Sequence, residues 1–509
     1  MLIATLAALA ALIADLSGIS SGDDGVGYRA IADSILDGRG LGYFLERPVT
    51  IWPPLWPGLM AAVAKITPLD TTGAAILLNA VMLFLAVMVG NRLLRTLVND
   101  DRLVLAGTAV IGLGGVSIGF ANLLMPDFAF AVVIMVWMIL LIRFHRTGSM
   151  PWLIGAAALV WVAFGLRYVG VVLVGTGGLW LLFDQRRTLA IRFRNGIVYG
   201  LVAILAPAAW MARNHSVDGT LTGVRWSSAR GLLGNGFDAL ATLGKMVLPG
   251  VLSGADELWA MVGLAALATG ALLGWKVLRA AATPDNGPIR RFIRGIGSPV
   301  GIVFLHVGLY LAYMLYFRTT TALNVLDLRL LNAVYFGFIV LAMVLADRLE
   351  ALGPRDTNPW FIRARAAVTL WAVANVAIGV FALVSFNTGG SLFPGNYNND
   401  TFEAVRQNAA LDALPPGCRV YSNLPNALYP RVGAKWSPME FAIESDEATG
   451  DLEKLLPTLA SDPACLVWID EEPVYGTLWS RDELSEQLTL RQLAHDDDVT
   501  VYEMEPKAP

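Results

Sequence analysis

The side chains in this sequence best suited to proton transfer and anion binding are Asp23, Asp24, Tyr28, Asp127, Arg167, Tyr168, Arg213, Asn214, Asp327 and Arg329. A carboxylate within hydrogen-bond reach of a hydroxyl can take its proton, and guanidinium groups neutralise charge on a departing oxyanion. These residues lie in short motifs: SGDDGVGY at 21–28, NLLMPD at 122–127, FGLRYVG at 164–170, WMARNHS at 210–216 and LDLRLLN at 326–332. Each has a plainer reading. Asp23 or Asp24 can N-cap a helix that begins near Gly25, and Asp127 can cap the helix that follows Pro126. Arg167 and Arg213 can snorkel toward lipid headgroups, and Asp327 and Arg329 can form a surface ion pair of little energetic weight.

The elements that must position these side chains follow from composition. Of 509 residues, 56% are hydrophobic and only 15% charged, with a mean hydropathy of +0.58. That balance excludes an ordinary soluble domain and predicts a polytopic membrane protein, mainly α-helical. Apolar runs at 1–16, 72–96, 103–120, 127–143, 152–166, 168–183, 196–211, 257–277, 299–317, 329–346 and 365–386 predict about eleven spans. The first run lacks the basic flank of a signal peptide and reads as a short span. Residues 52–66, WPPLWPGLMAAVAKI, are short and proline-rich and read as interfacial.

Lysines and arginines orient the spans. Arg92, Arg95 and Arg102, then Arg143 and Arg146, Arg186 to Arg194, Lys276 to Arg294, and Arg348 to Arg365 crowd alternate short loops. By the positive-inside rule those loops and the N-terminus face the cytoplasm. The external face then carries the long loops 17–71 and 212–256 and every candidate residue named above. Ionisable groups gathered at span ends face a bundle interior or a wet cavity more often than lipid, which makes a joint site the favoured reading.

The predicted division is a membrane domain over 1–390 and a soluble extracytoplasmic domain over 391–509. In the latter, CRVYSN at 418–423 and CLVWID at 465–470 read as strands, with helix-like DEATGDLEKLLPTLA and SRDELSEQL between and after them. This alternation predicts a small α/β domain with a mostly parallel sheet. No glycine-rich loop follows either strand, which argues against a nucleotide site. Cys418 and Cys465 open the two strands at matching positions, and both a disulfide and a pair of buried thiols remain open. Trp436, Trp468, Trp479, Tyr429 and Tyr475 read as core residues before sugar-stacking ones. The four scattered histidines and the absence of a CxxC pair give no metal motif. Nothing points to a nucleic-acid partner.

The motifs resemble, in order and sidedness, those of the GT-C glycosyltransferases. DGVGYRAIADSILDGRGLG is similar to that family's first external loop, in which an aspartate precedes a tyrosine by four positions, as Asp24 precedes Tyr28. WPPLWPGLMAAVAKI resembles its re-entrant segment, NLLMPDFAFAVV its second acidic element, GLRYVG its arginine-tyrosine helix and WMARNHSVDGTLTG its Arg-Asn segment. GCRVYSNLPNALY and CLVWIDEE resemble the small periplasmic domain of one bacterial branch, which includes protein mannosyltransferase-like and aminoarabinose transferase-like enzymes of the inner membrane. The resemblance implies a polyprenyl-phosphate-linked sugar as donor, entering from the bilayer. It also implies an extracytoplasmic acceptor, whether envelope glycan, lipid or protein. Asp24 would be the base, with Asp23 its cap or neighbour and Asp127 a second acid. Arg167, Arg213 or Arg329 would neutralise the leaving phosphate, with Tyr28, Tyr168, Asn214 and Asp327 around the substrate. Where many members carry a second acid after the aspartate, this chain has Gly25. No cofactor is required, although Asp24 and Asp127 could hold a divalent cation.

Two other classes compete. A flippase of lipid-linked sugars would show internal repeats and midplane charges, and neither is evident. A non-catalytic membrane protein that binds envelope glycan would depend on the C-terminal domain and not on the aspartates.

Overall fold

The computed structural model describes residues 1–43, 47–225, 227–247, 254–281, 287–322, 324–354, 357–388, 396–397, 400–432, 436–438, 464–470 and 480–507. The chain forms two compact units. One comprises Met1–Ser17, Thr50–Trp56 and Ala75–Leu392; the other comprises Gly18–Val49, Pro57–Ala74 and Phe393–Pro509.

The first unit is helical. Eight helices are long and apolar enough to cross a bilayer: Thr71–Leu97, Asp101–Ala121 (broken at Gly114), Asp127–Thr147, Leu189–Asp218, Asp256–Ala280, Pro299–Thr320, Asn332–Leu352 and Pro359–Phe386. The other three expected spans coincide with shorter apolar helices, Leu2–Ala14, Met150–Leu166 and Tyr168–Phe183. The first two have 13 and 17 residues, below the ~20 that a perpendicular crossing needs. The segment read as interfacial holds a 12-residue helix, Leu55–Ile66.

With little hydrophobic drive between helices in lipid, small residues set the contacts. Leu232–Val247 and Asp256–Ala280 form a helical hairpin whose backbones meet at Gly244 and Gly263. A Cβ on either would fall 2.0–2.1 Å from a carbonyl oxygen of the facing helix. Several polar groups inside the bundle are paired, and pairing matters because an unpaired one is costly away from water. Asn79 donates its amide to the carbonyls of Ala121 and Leu123, and Asn122 donates to the carbonyl of Ala14 and to Asp15. The Trp137 indole donates to the Tyr199 hydroxyl, which donates to the carbonyl of Leu173.

The second unit is α/β. Its two-stranded ribbon, β1 (Gly42–Tyr43) and β2 (Arg47–Pro48), follows helix Asp23–Leu36. Its five-stranded sheet contains β3 (Arg419–Ser422), β4 (Trp436–Pro438), β5 (Ala464–Ile469), β6 (Leu488–Asp496) and β7 (Val499–Pro506), in the order β4-β3-β5-β7-β6. The expectation of a mostly parallel sheet holds for β4-β3-β5 and fails beyond it, because β7 is antiparallel to both β5 and β6. A two-residue turn at Asp497–Asp498 closes that hairpin, with Asp497 in the left-handed region (φ 45°) that aspartate tolerates. SRDELSEQL forms the expected helix, Arg481–Gln487, started by a capping box between Ser480 and Glu483. The DEATGDLEKLLPTLA stretch lies outside the described residues, as do Tyr475 and Trp479 and the side chain of Trp436.

Side chains alternate across the sheet with the strand period of two. Val420, Val467, Ile469, Val499 and Val501 face one core, which also takes Val26 and Ala30 of helix Asp23–Leu36, Leu424, Leu428 and Tyr429. Tyr421, Leu466, Leu484, Tyr502 and Met504 face the other, with Trp468 packed against it. Tyr429 and Trp468 are therefore core residues, as their plainer reading held. The stretch Asp23–Leu36, near the N-terminus, thus contributes a helix to the core of the C-terminal α/β unit.

Cys418 and Cys465 form a disulfide, with Cα atoms 6.0 Å apart across the parallel β3-β5 pair. The bridge closes a loop over a sequence separation of 47. Replacing both cysteines by serine should lower the stability of this unit by about 2–4 kcal/mol through the lost constraint on the unfolded chain. Pulse proteolysis of the full chain in detergent, with cleavage mapped to residues beyond 393, measures this.

Candidate active site

The two candidate aspartates at 23 and 24 open a helix without capping it. Helix Asp23–Leu36 starts at Asp23, one residue beyond Gly22, which occupies the N-cap position and makes no side-chain cap bond. The expected start near Gly25 is thus two residues late, and the N-cap reading fails for both. Both lie in the first turn of that helix. Successive residues point about 100° apart around a helix, so the neighbours face different ways. Oδ1 of Asp23 accepts from the Tyr397 hydroxyl and the Asn426 amide, both at 2.7 Å. Asp24 is half-buried, and Tyr28, four residues on and on Asp24's side of the helix, is buried.

The remaining candidates sit in the helical unit. FGLRYVG ends helix Met150–Leu166 abruptly: Arg167 is extended (φ −148°, ψ 131°), and Tyr168–Val171 form a tight 3-10 turn. The turn folds back on the helix it leaves, so closely that a Cβ on Gly170 would lie 2.5 Å from the backbone of Ala163. That reversal brings the Arg167 guanidinium onto Oδ1 of Asp127 in a direct ion pair. Asp127 is the first residue of helix Asp127–Thr147, after Pro126 in the N-cap position, and is 2% exposed. Its expected role as cap gives way to a buried pairing with Arg167.

Tyr168 is the hub of a second group. Its hydroxyl donates to the carbonyl of Thr50 at 2.6 Å and accepts from the Trp210 indole at 3.0 Å and the Asn214 amide at 3.2 Å. Asn214, fully buried, also donates to the carbonyl of Leu221 and accepts from Arg213 at 3.0 Å. The Arg213 guanidinium stacks over the Trp210 ring, 4.9 Å from its centroid. Gly223, in the left-handed region at φ +83°, approaches Ile51 so closely that a Cβ would meet its Cα at 2.7 Å. Arg225 donates to the carbonyls of Thr222 and Ile51. Three stretches distant in sequence, around residues 50, 168 and 210–225, are thereby tied together, and Arg213 and Arg225 emerge from the knot half-exposed and exposed. Asn214 holds Arg213 directly, whereas Arg225 is held by the carbonyls of Thr222 and Ile51.

Asp327 accepts from the backbone N–H of Leu330 at 2.9 Å, closing the turn that leads into helix Asn332–Arg348. Sequence reasoning missed Thr50, whose contribution is a carbonyl, and Trp210, Arg225 and Arg318. Arg318 donates to the Ser228 hydroxyl at 2.6 Å near the Arg230–Asp238 ion pair. Among the described residues no group of three or more His, Cys, Asp or Glu side chains is placed to hold a metal ion.

No protein-family model matches the chain. No curated protein sequence matches it either. Solved structures do. ArnT from Cupriavidus metallidurans is 14% identical, with a TM-score of 0.62 over 99% of this chain and 97% of that one; the same protein bound to undecaprenyl phosphate gives 0.61. The oligosaccharyltransferase of Archaeoglobus fulgidus, in its complex with zinc and sulfate, is 12% identical, with a TM-score of 0.52 over 92% and 68% of the two chains. The arabinofuranosyltransferase AftD from Mycobacteria is 14% identical, with a TM-score of 0.52 over 99% of this chain and 40% of its own. At these identities the likeness speaks to fold, and the fold of this chain is that of the GT-C membrane glycosyltransferases.

Proposed function

We propose that the protein transfers a monosaccharide from a polyprenyl-phosphate donor to an extracytoplasmic acceptor: an envelope glycan, a lipid or a protein. The observation that carries this reading is the end-to-end likeness to ArnT, a protein whose solved complex holds undecaprenyl phosphate. A second neighbour was solved with a dolichol-phosphate and an inhibitory peptide.

The chemistry assigned to the residues is a single displacement. The acceptor hydroxyl loses its proton to the Asp24 carboxylate as its oxygen attacks the anomeric carbon. The bond from that carbon to the phosphate oxygen breaks, and the electron pair leaves with polyprenyl phosphate. Arg213, rigidly held by Trp210 and Asn214, is assigned to the charge on that leaving group, with Arg329 as a further candidate. Asp127 and Arg167 neutralise each other and serve the turn that places Tyr168. The scheme uses no metal ion.

In the same reading residues 1–390 cross the inner membrane eleven times from a cytoplasmic N-terminus, and residues 391–509 lie outside. The crowding of Lys and Arg into alternate loops supports this sidedness, and so does a disulfide, which persists in an oxidising compartment. Alkaline phosphatase fused after Pro509 should be active in cells, and a fusion after Arg146 inactive; the reverse pattern would invert the topology.

The catalytic assignment is tested with purified full-length protein, envelope extract and tritiated undecaprenyl-phosphate hexoses and pentoses. Asp24→Asn should lower kcat about 10²- to 10⁴-fold without changing detergent-phase stability. Full activity of Asp24→Asn would remove it as the base. Arg213→Ala should cost about 10²-fold in kcat/KM, and Arg213→Lys should recover only part, because an ammonium does not keep the planar stack on Trp210.

A further inference from the structure

We propose that Tyr397 and Asn426 are positioning residues for the transfer reaction: by holding Asp23 they fix the first turn of the helix that presents Asp24. The inference rests on the assignment of Asp24 as base and gives the C-terminal α/β fold a task in catalysis.

Helix Asp23–Leu36 is fastened at two points. At its start Asp23 takes the Tyr397 hydroxyl and the Asn426 amide, each at 2.7 Å. Ten residues on, Asp33 takes the Tyr429 hydroxyl at 2.7 Å and the Thr71 hydroxyl at 2.6 Å. At ~1.5 Å rise per residue the two fastenings lie about 15 Å apart along the axis, so together they oppose both sliding and rotation. Between them Val26 and Ala30 are buried against Val405, Leu424, Leu428 and Tyr429. Residues 23, 26, 30 and 33 fall within about 80° of one another around the helix, and Asp24 points roughly 140° from the middle of that face. The face that binds the α/β core therefore excludes Asp24, and its rigidity decides where Asp24 points.

Both phenols are well suited to a permanent fastening. Burial pushes the Tyr397 and Tyr429 hydroxyls well above the usual phenol range, and the carboxylates of Asp23 and Asp33 raise them further. Each stays protonated, and so stays a donor, throughout the working pH range. Bonds from a neutral donor to a carboxylate are also stronger than neutral pairs. Displacement of a catalytic group by about 1 Å costs on the order of 10²-fold in rate, so loss of one fastening is readable in kcat.

The test compares Tyr397→Phe with Tyr429→Phe, which removes the matched hydroxyl at the far end. Each variant is assayed as full-length protein with the tritiated undecaprenyl-phosphate sugar that the native protein turns over. Tyr397→Phe should lower kcat at least tenfold with donor KM within about twofold, and should speed hydrogen exchange in the peptide spanning 22–28. Tyr429→Phe should lower Tm comparably and kcat by less than about threefold. Asp23→Asn keeps an acceptor oxygen and should recover most of the kcat lost in Asp23→Leu. Unchanged kcat and exchange in Tyr397→Phe, or equal losses in the two tyrosine variants, would overturn the proposal. So would an Asp23→Asn variant as inactive as Asp23→Leu, which would make Asp23 itself the base. An active Asp24→Asn variant fails the functional assignment instead, and the two failures are distinguishable.

Discussion

The hydroxyl of Tyr168 is the contact on which the helical unit's candidate site depends. It donates once and accepts twice, and its partners come from two other segments of the chain, the stretch at Thr50 and the helix that carries Trp210 and Asn214. In an apolar bundle a hydroxyl left without partners is costly, so the three segments are held wherever their bonds to that oxygen can all be made. Arg213 is stacked and hydrogen-bonded as a consequence, and loses little further freedom on meeting an anion. A guanidinium already held in place is a better electrostatic catalyst than one that must be ordered at the moment of reaction. Gly170 and Gly223 belong to the same constraint, since backbone approaches at both points leave no room for a Cβ.

The α/β unit follows a different logic with a similar result. Its core is ordinary packing on both faces of a mixed sheet, stapled by Cys418–Cys465. Its distinguishing feature is that a helix from the far N-terminal part of the chain completes that core. Two adjacent aspartates on this helix are separated by the helical turn itself, one bonded to the α/β fold and one directed elsewhere.

Much of this was legible in the sequence, and the reasons are physical. Apolar runs must become helices in a bilayer, so each predicted span coincides with one. Arg167 and Tyr168 interrupt a run that would otherwise continue, and the chain does break there. The Asp24–Tyr28 interval marks one helix side because four residues make about one turn. What was hidden is what sequence spacing cannot carry. Asp23 meets partners 374 and 403 residues away. Thr50 contributes a backbone carbonyl, which any residue type offers. The β6-β7 hairpin was missed because LTLRQLAHD is polar on its exposed positions, and its turn uses aspartates in place of the usual Asn-Gly. An aspartate beside a glycine reads as a cap, which puts the expected start of helix Asp23–Leu36 two residues late.

The proposed function assigns the charge of a lipid-linked phosphate to Arg213, which the Tyr168 knot holds in place through Asn214 and Trp210. Cryo-electron microscopy of the full chain with undecaprenyl phosphate tests it most directly. The account predicts the phosphate within hydrogen-bond distance of the Arg213 guanidinium, with the Tyr168–Thr50 and Tyr168–Asn214 bonds intact. A bound lipid whose phosphate lies out of reach of Arg213, or a knot that opens to admit it, would contradict the account.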